Sequence, residues 1–336
     1  MSKSDTEPSA FQTWCQASPH ASHQTLRQSL IPALLDAIAK VGQALRTAHH
    51  VSLAGTANAF GDDQLNVDVA AETIIRAALA ACPSVATASS EEDPVERRVH
   101  DDDDNDEQAC YTVAFDPLDG SSIIAPNWSV GTIIGIWEGR SALSQRPSQK
   151  QVAAILGVYG PRTTAVVAIR TPGAEPACFE MGLSDAGAQG HDVVRPAVRL
   201  ASPPFATRYF APANLRAAAD DDGYMRLVAH FIRSRYTLRY SGGLSGGLVP
   251  DVVHALVKGH GVYVSPVTAR SGAKLRKLYE LFPVALVVEC AGGRAVDPVN
   301  GRDILAEGVA ECDQRGGLIC GTAEDVEHAK RELGLS

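Results

Sequence analysis

The sequence predicts a layered α/β or α+β pair of domains, on three observations. Helical and extended patterns alternate along the chain. The central extended segments are rich in Val, Ile and Thr, with Gly and Pro between them. The chain has 336 residues and 45% hydrophobic content. That suffices for a large core, in one big domain or two intimately packed ones.

Taken in order, residues 1–21 read as a polar, poorly ordered leader. From Ala21 to Ala48, apolar residues recur at Leu26, Leu30, Leu34, Ile38, Val41 and Leu45, which is helical spacing. "GDDQLNVDVAAETIIRAALAAC" opens on a Gly-Asp turn and continues as a second amphipathic helix. "SVATASSEEDP" is a short strand running into a loop. The acid run Asp101–Glu107 repels itself and reads as a solvated loop without a catalytic role. "CYTVAF", "SVGTIIGIW", "QVAAILGVY" and "TTAVVAIR" are strands, and Gly182–Gly190 is loop-like. From about Leu200 a second half begins, with "GYMRLVAHFIRSR" and "VPDVVHALVKGH" as helices. "AKLRKLYELF" reads as a further helix stopped by Pro283, and "VALVVEC" as a buried strand. The expected division is 22–199 and 200–335, with no internal repeats.

A net charge of −9 gives no general attraction to nucleic acid or an anionic membrane. The longest apolar runs, such as Phe282–Val288, fall short of the roughly 20 residues of a membrane span. The N-terminus has no apolar signal core. The expected setting is soluble and cytoplasmic, or organellar if a leader has been removed. The seven cysteines are scattered without C-x-x-C spacing, so reduced, mostly buried thiols are expected, not disulfides or a zinc site.

The acids carry the chemistry. "YTVAFDPLDGSSI" leaves an apolar strand at Asp116 and Asp119. Pro117 stiffens the exit and Gly120 permits a sharp bend. Carboxylates at a strand end face the crevice where α/β proteins bind ligands. Ser121 and Ser122 follow with backbone N–H groups that form an anion nest if a helix starts there. Alone, Asp-Pro and Asp-Gly are equally ordinary turn dipeptides. Glu91, Glu92, Asp62, Asp68 and Glu280 lie at other element ends. Two carboxylates about 5 Å apart repel by roughly 3 kcal/mol at an effective dielectric of about 20, so convergence requires protons or cations. Oxygen-only ligands select Mg²⁺ or Mn²⁺, and such an ion beside an anion nest suggests phosphoryl chemistry.

"GDDQLNVD", "SSEED", "AFDPLDGSSI", "AKLRKLYE" and "ECAGG" together resemble the fructose-1,6-/sedoheptulose-1,7-bisphosphatase family of Mg²⁺-dependent sugar and inositol phosphatases. "SVGTIIGIW", "VYGPRTT", "YTLRYSGG" and "VPDV" are similar to its sedoheptulose-1,7-bisphosphatase branch. The resemblance runs in order from about Thr25 to Leu335. It implies a sugar phosphatase fold of alternating helix and sheet layers (αβαβα), two or three Mg²⁺ ions per site (Mn²⁺ as the alternative), a sugar bisphosphate substrate, and a dimer or tetramer.

The resemblance carries roles onto individual residues. Asp62, Glu91, Asp116, the Leu118 carbonyl, Asp119 and Glu280 match metal ligands. Asp68 and Glu92 match the acids that orient and deprotonate the attacking water. Asp119, Gly120, Ser121 and Ser122 match the cradle of the phosphate being cleaved. Asn214, Arg239, Tyr240 and Lys274 match the grip on the sugar and its other phosphate, with Arg239 reaching across a subunit interface. Arg276 matches a cation near the cleaved group. Arg276 and Glu280 are four apart, so a helix there would give them one face; a surface ion pair is the plain alternative.

Three departures from the pattern bear on regulation and substrate. "SLAGTANAFGD" lacks the cysteine pair of plastid sedoheptulose bisphosphatases. "HQTLRQSLIPALL" lacks the AMP-binding signature of animal-type fructose bisphosphatases. Ser265 in "GVYVSP" stands where fructose bisphosphatases place a Tyr, which favours a longer sugar. The implied reaction is hydrolysis of the 1-phosphate of sedoheptulose 1,7-bisphosphate, with fructose 1,6-bisphosphate as the alternative. An inositol or nucleotide monophosphatase and an inactive metal-binding protein are more distant readings.

Overall fold

The computed structural model describes residues 23–57, 63–100, 110–187, 190–238 and 247–335. The leader 1–21, the acid run 101–107, Asp62, Arg239, Tyr240 and residues 241–246 lie outside them. In the first half, a π-helical turn Leu26–Leu30 runs into α1 (Ile31–Thr47). The short antiparallel pair β1 (Leu53–Ala57) and β2 (Asp63–Leu65) leads to α2 (Asn66–Ala80). The strands β3 (Val85–Ser90), β4 (Arg97–Arg98), β5 (Tyr111–Asp119), β6 (Val130–Glu138), β7 (Gln151–Tyr159), β8 (Thr163–Ile169), β9 (Ala177–Gly182) and β10 (Asp192–Arg195) follow, with a one-turn helix α3 (Pro147–Lys150) before β7. They form one sheet in the order β10-β9-β8-β7-β6-β5-β3-β4, antiparallel except for the β3–β5 pair.

The second half contains β11 (Tyr209–Pro212), α4 (Asp222–Arg233), β12 (Thr237–Leu238), α5 (Leu248–Lys258), β13 (Val262–Ser265), β14 (Leu275–Arg276), α6 (Phe282–Cys290), β15 (Arg294–Val296), β16 (Arg315–Gly316), β17 (Leu318–Gly321) and α7 (Ala323–Glu332). Five strands form a second sheet, β12-β11-β13-β17-β15.

Strand periodicity explains the layers. In β5, Val113 and Phe115 face a core shared with α1 and α2, while Ala114 faces a core shared with α5 and α6. β8 divides in the same way, with Val167 on one side and Val166 on the other. In the second sheet, Tyr263 and Cys320 turn toward α5 and α6, whereas Val262, Val264 and Ile319 turn toward α4 and α7. The order is therefore α, β, α, β, α, as the resemblance implied. Both faces of each sheet are covered, so the strands read as continuous apolar runs.

One expectation fails. Residues 273–282 are not a helix, and 284–290 are not a strand. Leu275–Arg276 is extended, Lys277–Leu281 is a π-helical turn, and α6 begins at Phe282 with Pro283 in its first turn. Proline is suited to that position because the first N–H groups of a helix have no partner within it. α6 lies between the two sheets, and every one of its residues except Glu289 is buried. A helix enclosed on all sides has no polar stripe, and a nearly uniform apolar run carries no period that separates helix from strand.

Two glycines of β6 let the middle helices approach the large sheet. A methyl group at Gly131 would lie 2.5 Å from the Val249 Cβ in α5, and one at Gly135 would lie 2.9 Å from the Pro283 ring in α6. The start of each helix is thus held against the strand that pairs with β5.

Candidate active site

Asp116 and Asp119 are three residues apart, so a regular strand would put them on opposite faces. The β5–β6 register corrects this. Asp116 opposes Ile133, but Asp119 opposes Gly131, so β5 contains one more residue than its partner over this span. That is a bulge. Pro117, which has no N–H to offer the ladder, occupies it, and its carbonyl accepts a hydrogen bond from the Thr132 hydroxyl at 2.7 Å. The Leu118 N–H donates to Asp116 Oδ1 at 2.9 Å. Gly120, at φ 91°, then turns the chain into a single 3₁₀ turn, Ser121–Ile123.

Glu280 comes from the π-helical turn before α6. It joins Asp116 and Asp119 in a group whose carboxylate oxygens lie within 4.8 Å of one another. All three are buried. The Arg276 backbone N–H donates to the Glu280 carboxylate. Burial, followed by the charge of Glu91, raises the pKa of Asp116 and of Glu280 well above the carboxylate range. Asp119 is pushed up to about 7, again first by burial, although two backbone hydrogen bonds oppose the shift.

Glu91 extends the cluster. The parallel β3–β5 ladder continues past its last pair, with the Glu91 N–H donating to the Phe115 carbonyl at 3.0 Å. This sets Glu91 beside Asp116. Its carboxylate pairs with the Arg276 guanidinium, whose Nε lies 3.3 Å from Asp313 Oδ1. Arg276 and Glu280 therefore do not share one helical face. Arg276 precedes the π-helical turn and turns its side chain to the first half.

Asp68 is the third residue of α2 and accepts the Leu65 N–H at 2.9 Å. Burial first, with Glu91 adding repulsion, raises it to about 6. Glu92 accepts a hydrogen bond from the Gln64 amide. Burial, with Asp68, Glu91 and Glu72 nearby, raises it to about 7. Six of the acids named from sequence thus share one electrostatic environment. Ser122 is exposed and Gly120 and Ser121 are partly exposed at its edge.

Asn214 and Lys274 line one open pocket of about 520 Å³, with Ala217 and Ala219. Ser265 is buried at the end of β13 and is not among the residues lining it. Sequence reasoning missed Gln64, which donates to Glu92, and Asp313, which pairs with Arg276. It also missed Arg216 and Arg270 of the pocket. The cluster consists of carboxylates alone, without His or Cys, which fits a hard divalent cation. Three buried carboxylates at this spacing hold either protons or cations.

The model for the fructose-1,6-bisphosphatase N-terminal domain matches residues 13–184, and that for its C-terminal domain matches residues 204–333. The chain belongs to the fructose-1,6-bisphosphatase family. This family consists of metal-dependent phosphoric monoester hydrolases. Among its relatives, the chloroplastic sedoheptulose-1,7-bisphosphatase of Chlamydomonas reinhardtii is 38% identical over 88% of this chain and 72% of its own length. A class 1 fructose-1,6-bisphosphatase of Syntrophotalea carbinolica is 35% identical over 90% of this chain and 87% of its own length. A Toxoplasma gondii crystal structure, provisionally classed as a sedoheptulose-1,7-bisphosphatase, superposes with a TM-score of 0.83. It is 34% identical and covers 98% of this chain and 99% of that one. Leishmania major fructose-1,6-bisphosphatase in its holo form, 24% identical, shares the fold with a TM-score of 0.80 over 97% of this chain and 99% of that one. Among the described residues, no helix is long and apolar enough to cross a membrane.

Proposed function

We propose that this family member hydrolyses the 1-phosphate of sedoheptulose 1,7-bisphosphate, with Mg²⁺ as its metal. The observation that supports this most is the meeting of Asp116 and Asp119 with Glu280, which lies more than 150 residues later in the sequence, in one buried group. In this reading those three residues, with Glu91, the Leu118 carbonyl and Asp62, hold two or three ions. Bound Mg²⁺ supplies Lewis-acid neutralisation of phosphate oxygens.

The chain's own groups do the rest. Asp68 and Glu92, with pKa values of about 6 and 7, are poised to accept a water proton near neutrality. Gly120, Ser121 and Ser122 turn backbone N–H groups toward the phosphate being cleaved. Arg276 faces the developing charge from the other side. Asn214 and Lys274, with Arg239 and Tyr240, hold the distal phosphate, so binding energy from the far end fixes the reacting end. Residues 22–199 then carry the metal and scissile phosphate, and 200–335 carry the sugar grip and Glu280.

A second reading has fructose 1,6-bisphosphate as sole or additional substrate; it draws on the 35% identity to a class 1 enzyme of that name. Phosphate release from both bisphosphates, with and without Mg²⁺, tests the proposal. We expect strict metal dependence and a higher kcat/KM on the seven-carbon sugar. No release from either sugar defeats the function, and a preference for the six-carbon sugar installs the second reading.

A further inference from the structure

The geometry points to Arg216 as a further cation for the distal phosphate, beside the Lys274 and Arg239 of the reading above, and so to a specificity-determining residue of the pocket. This rests on the sugar-bisphosphate reading above. The pocket of about 520 Å³ is lined by three cationic side chains, Arg216, Arg270 and Lys274. Arg270 is already neutralised by Asp220, 3.1 Å away. Neither Arg216 nor Lys274 has an ion-pair partner among the described residues. The pocket therefore presents two uncompensated positive charges.

A phosphate monoester carries about −1.5 to −2 at neutral pH. Lys274 alone matches roughly half of that charge. Among the cations that line the pocket Arg216 is the one left to match the remainder, and its planar guanidinium offers two parallel donors to phosphate oxygens where an ammonium acts as a point charge.

Backbone conformation aims the group. Asn214 is left-handed, with φ 51° and ψ 53°, and turns the chain into the 3₁₀ segment Leu215–Ala219. Asn214 is 93% buried, yet its Oδ1 has no hydrogen-bond partner. A buried acceptor without a donor is costly, and a sugar hydroxyl entering this pocket supplies one. Arg216 projects from the turn that follows. The apolar lining beside it is Ala217 and Ala219, so no aromatic hydroxyl from these positions takes part. Recognition at this end depends on charge, and the small side chains leave room for a longer sugar.

Arg216→Ala and Arg216→Lys test this in the full-length, Mg²⁺-loaded protein. The first measurement is kcat/KM for sedoheptulose 1,7-bisphosphate relative to p-nitrophenyl phosphate, which has no second phosphate. Arg216→Ala is expected to narrow that ratio at least tenfold, chiefly through KM, and Arg216→Lys to recover part of it. The second is calorimetric binding of sedoheptulose 7-phosphate, which carries only the distal phosphate and needs no turnover. Its Kd is expected to rise at least tenfold in Arg216→Ala. An unchanged ratio and Kd, or equal losses on the bisphosphate and the aryl ester, overturns the assignment. Failure of the unsubstituted protein to hydrolyse either bisphosphate is a separate result and defeats the functional reading.

Discussion

The carboxylate of Asp119 accepts the backbone N–H of Val249 at 2.7 Å, across 130 residues of sequence. Its other oxygen accepts the Leu248 N–H at 2.9 Å. These are the first two N–H groups of α5, whose own N-cap residue, Gly247, has no side chain to satisfy them. An acid of the proposed metal site is thus also the cap of a helix in the other half. Each carboxylate oxygen has a second lone pair for a cation.

Asp119→Asn is therefore expected to abolish turnover and also to lower stability. The Asn amide turns its NH₂ toward one of the two N–H groups and leaves a buried donor unsatisfied, at a cost of about 1–3 kcal/mol. Phosphate release and thermal unfolding check the two effects separately. Near-normal activity removes Asp119 from the metal site.

Mg²⁺ is expected to raise Tm more at pH 8 than at pH 6. Asp119 and Glu92 sit at about 7 and Asp68 at about 6, and burial also raises Asp116 and Glu280 well above their ordinary values. Ordinary carboxylates titrate near 4. Between those values the folded, metal-free chain binds more protons than the unfolded one, so the cluster's contribution to stability falls as pH rises through the folded values. A divalent cation competes with those protons and meets less competition at high pH. Unfolding curves at both pH values, with and without MgCl₂, read this directly. A metal-induced shift that shrinks as pH rises contradicts it.

Glu92→Gln is expected to reduce kcat by about 10²–10⁴-fold, the range of a lost general base. It should also remove the ascending limb of the pH–rate profile near 7. Mg²⁺ binding, measured by calorimetry, should persist. An unchanged profile in this variant assigns the proton transfer elsewhere.

Gly131→Ala places a methyl group 2.5 Å from the Val249 Cβ, so either α5 or β6 must move. Overpacking of this kind costs about 1–3 kcal/mol. The displaced helix start is the one Asp119 caps, so metal affinity should fall along with Tm. A variant with unchanged Tm and affinity shows that α5 shifts without disturbing Asp119.

The strands and outer helices were legible because each carries a period or a punctuation that survives in one dimension. Asp116 and Asp119 were legible as a motif, whereas the bulge that puts them on one face appears only in the register with β6. α6 was misread because a helix buried on every side has no amphipathic signature, and the separate reading of 273–282 as a helix misplaced Arg276 relative to Glu280. The capping role of Asp119 left one readable trace: α5 begins after Gly247, whose lack of a side chain leaves the cap to come from elsewhere. Gln64 and Asp313 left none, since their partners are fixed by loops that meet only in three dimensions.

The central helix layer has a consequence for biogenesis. α5 and α6 are encoded after every strand of the eight-stranded sheet, yet they cover one of its faces. While the ribosome has released only the first half, Ile133, Trp137, Leu156 and Val166 have nothing to lie against. Newly made chains must either delay closing that sheet until Cys290 has emerged or depend on a chaperone to shield it meanwhile.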